Sequence, residues 1–154
     1  MARLRGSWPL RVWPPCRLVL EYGVASILIV EDEQILREAF TLLLQANGYQ
    51  VDAAHNGQAA LGNCAENTYD LILLDIMMPV LDGIGFLRQA KLQTAAPNTR
   101  VIVLSNLSYD EMPAELQQLG VHRQEIKANL SSRDIVMLVR DELEEGRPQQ
   151  PVAA

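Results

Sequence analysis

From residue 26 onward, short apolar runs alternate with longer amphipathic stretches. Ile27–Val30, Leu71–Leu74 and Val101–Leu104 are continuous apolar runs of strand length, as expected for strands covered on both faces in a parallel sheet. Tyr49–Ala54 and Val121–Ile126 are more polar and read as edge strands. Helical patterns fill the gaps. Gln34–Asn47 sets Ile35, Leu36, Ala39, Phe40, Leu43 and Leu44 on one stripe and stops at Gly48, a residue suited to the left-handed turn after a helix. Gly57–Glu66 and Ile84–Lys91 are shorter, and Glu111–Leu119 carries Pro113 in its first turn and stops at Gly120. The last helix opens on Ser131-Ser132-Arg133-Asp134, a capping box with Asp in place of Glu, and runs through Ile135, Val136, Leu138, Val139 and Leu143 to Gly146 and Pro148. Five such βα units with right-handed crossovers predict an α/β fold: a doubly wound five-stranded parallel sheet with helices on both faces.

The chain has 154 residues, enough for one domain with a sizeable core, which the pattern places at residues 26–145. Residues 1–25 show no period and are expected to be a disordered extension, with residues 1–23 upstream of the native start. Residues 146–154 read as a disordered polar tail, with no effector domain expected beyond it. Charge changes the picture more than composition does. The net charge is −6, but residues 1–25 carry four arginines against Glu21, a balance of +3 that leaves −9 for the rest. A body that acidic repels nucleic-acid phosphates, so direct binding to nucleic acid is not expected. Cys16 and Cys64 are too few for a disulfide framework and read as free thiols in a reducing cytoplasm. No apolar run has the length of a membrane span. Pro9, Arg11, Pro14, Pro15, Arg17 and Glu21 interrupt any signal-peptide core, so the expected location is cytoplasmic, away from the membrane.

Sites in doubly wound sheets form beyond the carboxyl ends of the strands. Here those ends carry Glu31 and Asp32, then Asp75, then Ser105, then Lys127. Each alone has an ordinary explanation: an acid at a helix start, a turn-forming aspartate, a loop serine, a solvated lysine. Together they put three carboxylates, a hydroxyl and an ammonium on one rim. With the strand order 2-1-3-4-5, strands 1 and 3 are neighbours about 4.8 Å apart, and Asp32 and Asp75 converge. Clustered carboxylates call for a cation, and oxygen ligands beside a phosphate-binding site suit Mg²⁺. Lys127 supplies a movable positive charge and Ser105 a donor. The set describes a phosphoryl pocket with a carboxylate nucleophile at its floor.

The runs Ile27-Leu28-Ile29-Val30-Glu31-Asp32-Glu33 and Leu71-Ile72-Leu73-Leu74-Asp75-Ile76-Met77-Met78-Pro79, with Asp82-Gly83, Val101-Ile102-Val103-Leu104-Ser105 and Lys127, resemble the response-regulator receiver family over roughly residues 26–145. The resemblance implies a flavodoxin-like (βα)5 fold and a stand-alone receiver of two-component signalling. It implies Asp75 as phosphoacceptor; Mg²⁺ held by Asp32, Asp75, Glu31 and the main-chain carbonyl of Met77; and Ser105 and Lys127 on the phosphoryl oxygens. Its implied partners are a sensor histidine kinase or histidine phosphotransfer protein and a downstream protein target. A homodimer through the fourth and fifth helices is a further expectation. The protein is expected to be a phosphoacceptor with slow self-dephosphorylation, and not an enzyme in the usual sense.

The chain departs from the family pattern at Gln124, where an aromatic is usual, at Ala128 after the lysine, and at Asn106 after the hydroxyl. Tyr109 is a candidate substitute for the missing ring, and Met77 a candidate shield for the acyl phosphate. A flavin-binding relative of the fold is disfavoured because Glu31-Asp32 would repel a cofactor phosphate. An aspartyl-phosphate phosphatase is disfavoured because Met77 stands where a second acid is wanted. The serious alternative is a pseudo-receiver that binds partners without phosphorylation. His55 and His122 lack partner ligands, and Gly83-Ile84-Gly85 lacks the context of a nucleotide loop.

Overall fold

The computed structural model describes residues 23–146. The expectations for the two terminal segments, Cys16 among them, lie outside the described residues. Five strands, β1 (Ser26–Val30), β2 (Gln50–Ala54), β3 (Leu71–Leu74), β4 (Arg100–Ser105) and β5 (Arg123–Ile126), form one parallel sheet in the order β2-β1-β3-β4-β5. Helices α1 (Gln34–Ala46), α2 (Gly57–Glu66), α3 (Gly83–Ala90), the single turn α4 (Leu92–Ala95) and α5 (Ser132–Glu145) connect and cover it.

The apolar runs are buried on both faces, as the sequence predicts. Leu28, Val30, Ile72, Leu74, Val101 and Val103 pack on one side with Ala60, Phe86 and Leu87 from α2 and α3. Their alternate neighbours Ile27, Ile29, Leu71, Leu73, Ile102 and Leu104 pack on the other with Leu44 of α1 and Ile135, Leu138, Val139 and Leu143 of α5. Burying each of these large side chains contributes about 1.5–3 kcal/mol, so the three interior strands anchor the fold and fix the register at their ends. The capping box on α5 forms as expected, with the Ser131 hydroxyl accepting from the Asp134 N–H and the Asp134 carboxylate accepting from the Ser131 N–H. Arg100 at the start of β4 pairs with Glu142 of α5, a carboxylate only 1% exposed.

Three details differ from the sequence pattern. The helix expected over Glu111–Leu119 is not formed; that stretch is a series of turns with one 3-10 turn, Ala114–Leu116. Pro113 disfavours helical geometry at Met112, which removes the first turn of the expected helix, and Gly120 reverses the chain at φ +89, so that only the 3-10 turn forms between them. Leu116 still anchors the connection, fully buried. The face expected for self-association therefore consists of α5 beside an irregular connection. Second, the helix expected over Ile84–Lys91 breaks at Lys91, which adopts φ +47 before α4 begins. Third, Ile35 and Ala39 leave the α1 stripe, Ile35 being 76% exposed, because at helical spacing both fall on a flank turned away from Phe40, Leu43 and Leu44, which pack on the sheet.

Candidate functional site

The register carries the chemistry to the carboxyl rim. Val30 pairs with Leu74, so the next residues on β1 and β3, Glu31 and Asp75, emerge side by side. Backbone bonds extend the sheet by one step: the Asp75 N–H donates to the Val30 carbonyl at 2.9 Å and the Glu31 N–H to the Ala54 carbonyl at 3.0 Å. One carboxylate oxygen from each of Glu31, Asp32 and Asp75 lies within 4.8 Å of the others. Glu31 and Asp75 are buried, whereas Asp32 faces solvent.

Lys127 follows β5 directly and reaches across the rim. Its Nζ donates to Glu31 Oε2 at 2.7 Å and to Asp75 Oδ2 at 3.1 Å, and the three side chains are all less than 10% exposed. Burial pushes the Glu31 carboxyl above its ordinary 4.5, against the pull of Lys127. Burial works against the Lys127 ammonium, but the bond to Glu31 and the charge of Asp75 outweigh it and hold the lysine above its ordinary 10.5. With every group ionised, three carboxylates face one ammonium. That leftover negative charge, presented as hard oxygen ligands with Asp32 open to solvent, fits a divalent cation.

Ser105, at the end of β4, pairs in register with Ile126, so it is next to Lys127 along the rim. Its buried hydroxyl accepts from the Leu107 N–H at 3.3 Å. Met77 donates its N–H to Asp75 Oδ1 at 3.3 Å while its side chain is 64% exposed. The structure thus brings Glu31, Asp32, Asp75 and Lys127 into one cluster and sets Ser105 beside it. Among the described residues no other group of three or more metal-ligating side chains is found. His55 is exposed, and His122 accepts from the Val101 N–H through Nδ1 at 3.1 Å.

Two features were not read from the sequence by chemistry. The direct Glu31–Lys127 bond spans 96 positions and joins the ends of β1 and β5, which β3 and β4 separate; the longer side chain of Glu compared with Asp is its only local signal. Gly83, quoted in the sequence only as part of a motif, has a physical reason. A Cβ there would lie 2.4 Å from the Asp75 carbonyl oxygen and 2.9 Å from Ile76 Cα, and the Gly83 N–H donates to the Ile76 carbonyl at 3.0 Å. The start of α3 is thus pressed directly onto the backbone that holds Asp75.

A sequence profile of the response regulator receiver domain matches residues 27–139, which spans both the sheet and the acidic rim. The chain belongs to the response regulator receiver family. The response regulator ArlR of Staphylococcus haemolyticus is 30% identical over 126 residues, an alignment covering 73% of this chain and 57% of ArlR. This receiver thus spans little more than half the length of that relative. Among solved structures, the CheY-like receiver domain protein of Methanospirillum hungatei superposes with a TM-score of 0.74 at 22% identity, over 80% of this chain and 97% of that one, a likeness of fold. TrrA of Thermotoga maritima, solved in complex with Mg²⁺-BeF, gives 0.65 at 28% identity over 78% of this chain and 99% of that one. The receiver therefore belongs to two-component signalling, in which such domains interact with histidine kinases and downstream targets. Among the described residues no helix is long and apolar enough to cross a membrane.

Proposed function

We propose that this receiver accepts a phosphoryl group on Asp75 in a Mg²⁺-dependent transfer from phosphohistidine, and that the acyl phosphate changes which protein it binds. The observation that carries this reading is the buried contact of Lys127 with Asp75 and Glu31, beside the exposed Asp32. A carboxylate held beside a buried ammonium at the end of a rigid strand is placed for attack, and most of the rate in phosphoryl transfer comes from such positioning and electrostatics. An Asp75 oxygen forms the O–P bond, the N–P bond of the donor breaks, and the imidazole leaves with the electron pair. Lys127 then turns from the carboxylates to the phosphoryl oxygens, and Ser105 donates its hydroxyl to one of them. Glu31, Asp32, Asp75 and the main-chain carbonyl of Met77 would hold Mg²⁺, which when bound neutralises charge on the transferring group. The Mg²⁺-BeF complex of TrrA supports this assignment by analogy.

The protein works as a stoichiometric phosphoacceptor in the cytoplasm, with no turnover beyond slow self-dephosphorylation. Its partners are a sensor histidine kinase or histidine phosphotransfer protein and a downstream protein, with no direct contact to nucleic acid. Incubation with a small-molecule phosphoryl donor and Mg²⁺, followed by intact mass, tests the reading. The wild type should gain one phosphoryl group and Asp75→Ala none. The pseudo-receiver alternative draws on Gln124 and Asn106, where the chain departs from the family pattern. No incorporation into the wild type would favour it.

A further inference from the structure

Arg37 is the fourth residue of α1, in a turn where the positive end of the helix disfavours a cation. Helix stability does not explain a guanidinium there. Nor does an ion pair, since among the described residues none involves Arg37. Instead, Arg37 Nη1 donates to the Glu31 carbonyl at 2.7 Å and to the Asp32 carbonyl at 3.0 Å. These two carbonyls belong to the peptide planes on either side of the Asp32 Cα. Clamping both planes sets the direction in which the Asp32 side chain leaves the backbone. No side-chain hydrogen bond among the described residues holds Asp32 itself, although its carboxylate is the solvent-facing arm of the acidic cluster.

We propose that Arg37 is a positioning residue that aims Asp32 at the divalent cation. The proposal rests on the Mg²⁺-dependent reading given above. It makes a sign prediction that a purely electrostatic role would reverse. A guanidinium near the cluster repels a dication, so removing charge alone would tighten Mg²⁺ binding, whereas removing the clamp loosens Asp32 and weakens it. Partners that orient metal ligands are worth about 10–100-fold in affinity when removed.

The experiment is calorimetric titration of the full chain with MgCl₂, with thermal unfolding followed in parallel. Arg37→Met should bind Mg²⁺ about 10-fold more weakly or worse, at an unfolding midpoint close to that of the wild type. Arg37→Lys keeps the charge but has a shorter reach and a compact ammonium, so it should be weakened several-fold. Unchanged or tighter Mg²⁺ binding by Arg37→Met overturns the proposal. If that variant does not fold, wild-type affinity in Arg37→Lys overturns it. A wild type that shows no saturable Mg²⁺ binding sinks the phosphoacceptor reading as well. Saturable binding by the wild type, lost in Asp32→Ala but undisturbed in Arg37→Met, sinks only the role of Arg37.

Discussion

Glu31, Asp32 and Asp75 follow two interior strands of the sheet, whereas Tyr109 lies in a connection with almost no regular structure between β4 and the edge strand β5. On the acidic side, apolar residues on β1 and β3 are buried on both faces, Gly83 is pressed against the Asp75 carbonyl, and Lys127 bridges two carboxylates. On the other side, Tyr109 is 59% exposed and its hydroxyl donates to Glu125 Oε2 at 3.4 Å, a long bond. Low density of buried contacts marks segments that rearrange at little cost. The contrast suggests a division of labour: chemistry belongs where the chain is over-determined, and the response to it where the chain is loosely held.

Lys127→Met probes the tight side most severely. It leaves Glu31 and Asp75 buried together without their cation, and breaking a buried pair in this way costs about 3–5 kcal/mol, read as a lower denaturant midpoint. The pH dependence sharpens the same point. Lys127 is held above 10.5, so the stability it contributes is fully present below that value and is lost as pH rises through the raised one. The wild type should therefore show an alkaline loss that Lys127→Met lacks; identical alkaline limbs would contradict the pairing. Burial raises Glu31 as well, so its pH slope has the same sign in a lower window: its buried charge costs stability at neutral pH, and that cost is relieved as pH falls through its raised value.

Gly83→Ala should come next, costing about 2 kcal/mol through overpacking against backbone that cannot retreat. Phosphoryl incorporation should fall with it, and a fully active, equally stable variant would show that the acceptor loop tolerates displacement. Met77→Asn tests the exposed shield beside Asp75, and the acyl phosphate should hydrolyse several-fold faster than in the wild type. Equal lifetimes in wild type and variant would remove the shielding role. The smallest effect belongs to the loose side. Tyr109→Phe should change stability by no more than about 0.5 kcal/mol. If Tyr109 substitutes for the ring missing at Gln124, Tyr109→Ala will weaken the dependence of partner binding on phosphorylation without altering phosphorylation itself.

The same contrast governs what could be read in advance. β3 matched residue for residue, and β1 and β4 to within one residue at each end, because strands covered on both faces must be continuously apolar. Once the strand order is fixed, the acids at their ends converge without further information. The β4–β5 connection departs from its helical pattern because Pro113 and Gly120 punctuate a turn as readily as they bound a helix, although the stretch between them carries apolar Leu116 and Leu119 at helical spacing. The Glu31–Lys127 bond was invisible for a different reason. It depends on two side chains reaching toward each other over the ends of two intervening strands, β3 and β4, for which the length of Glu is the sole local signal. The left-handed Lys91 likewise carries no glycine or asparagine to announce it.

Because Lys127 already sits between Glu31 and Asp75, the cluster carries its own resident counterion. Folding and metal loading are then separable events, unlike small zinc domains whose fold exists only with the ion. Protein washed with chelator should remain native and ready for reloading. On the proposed Mg²⁺-dependent reading, free magnesium can be varied without melting the sheet, and its concentration would set when the receiver is competent.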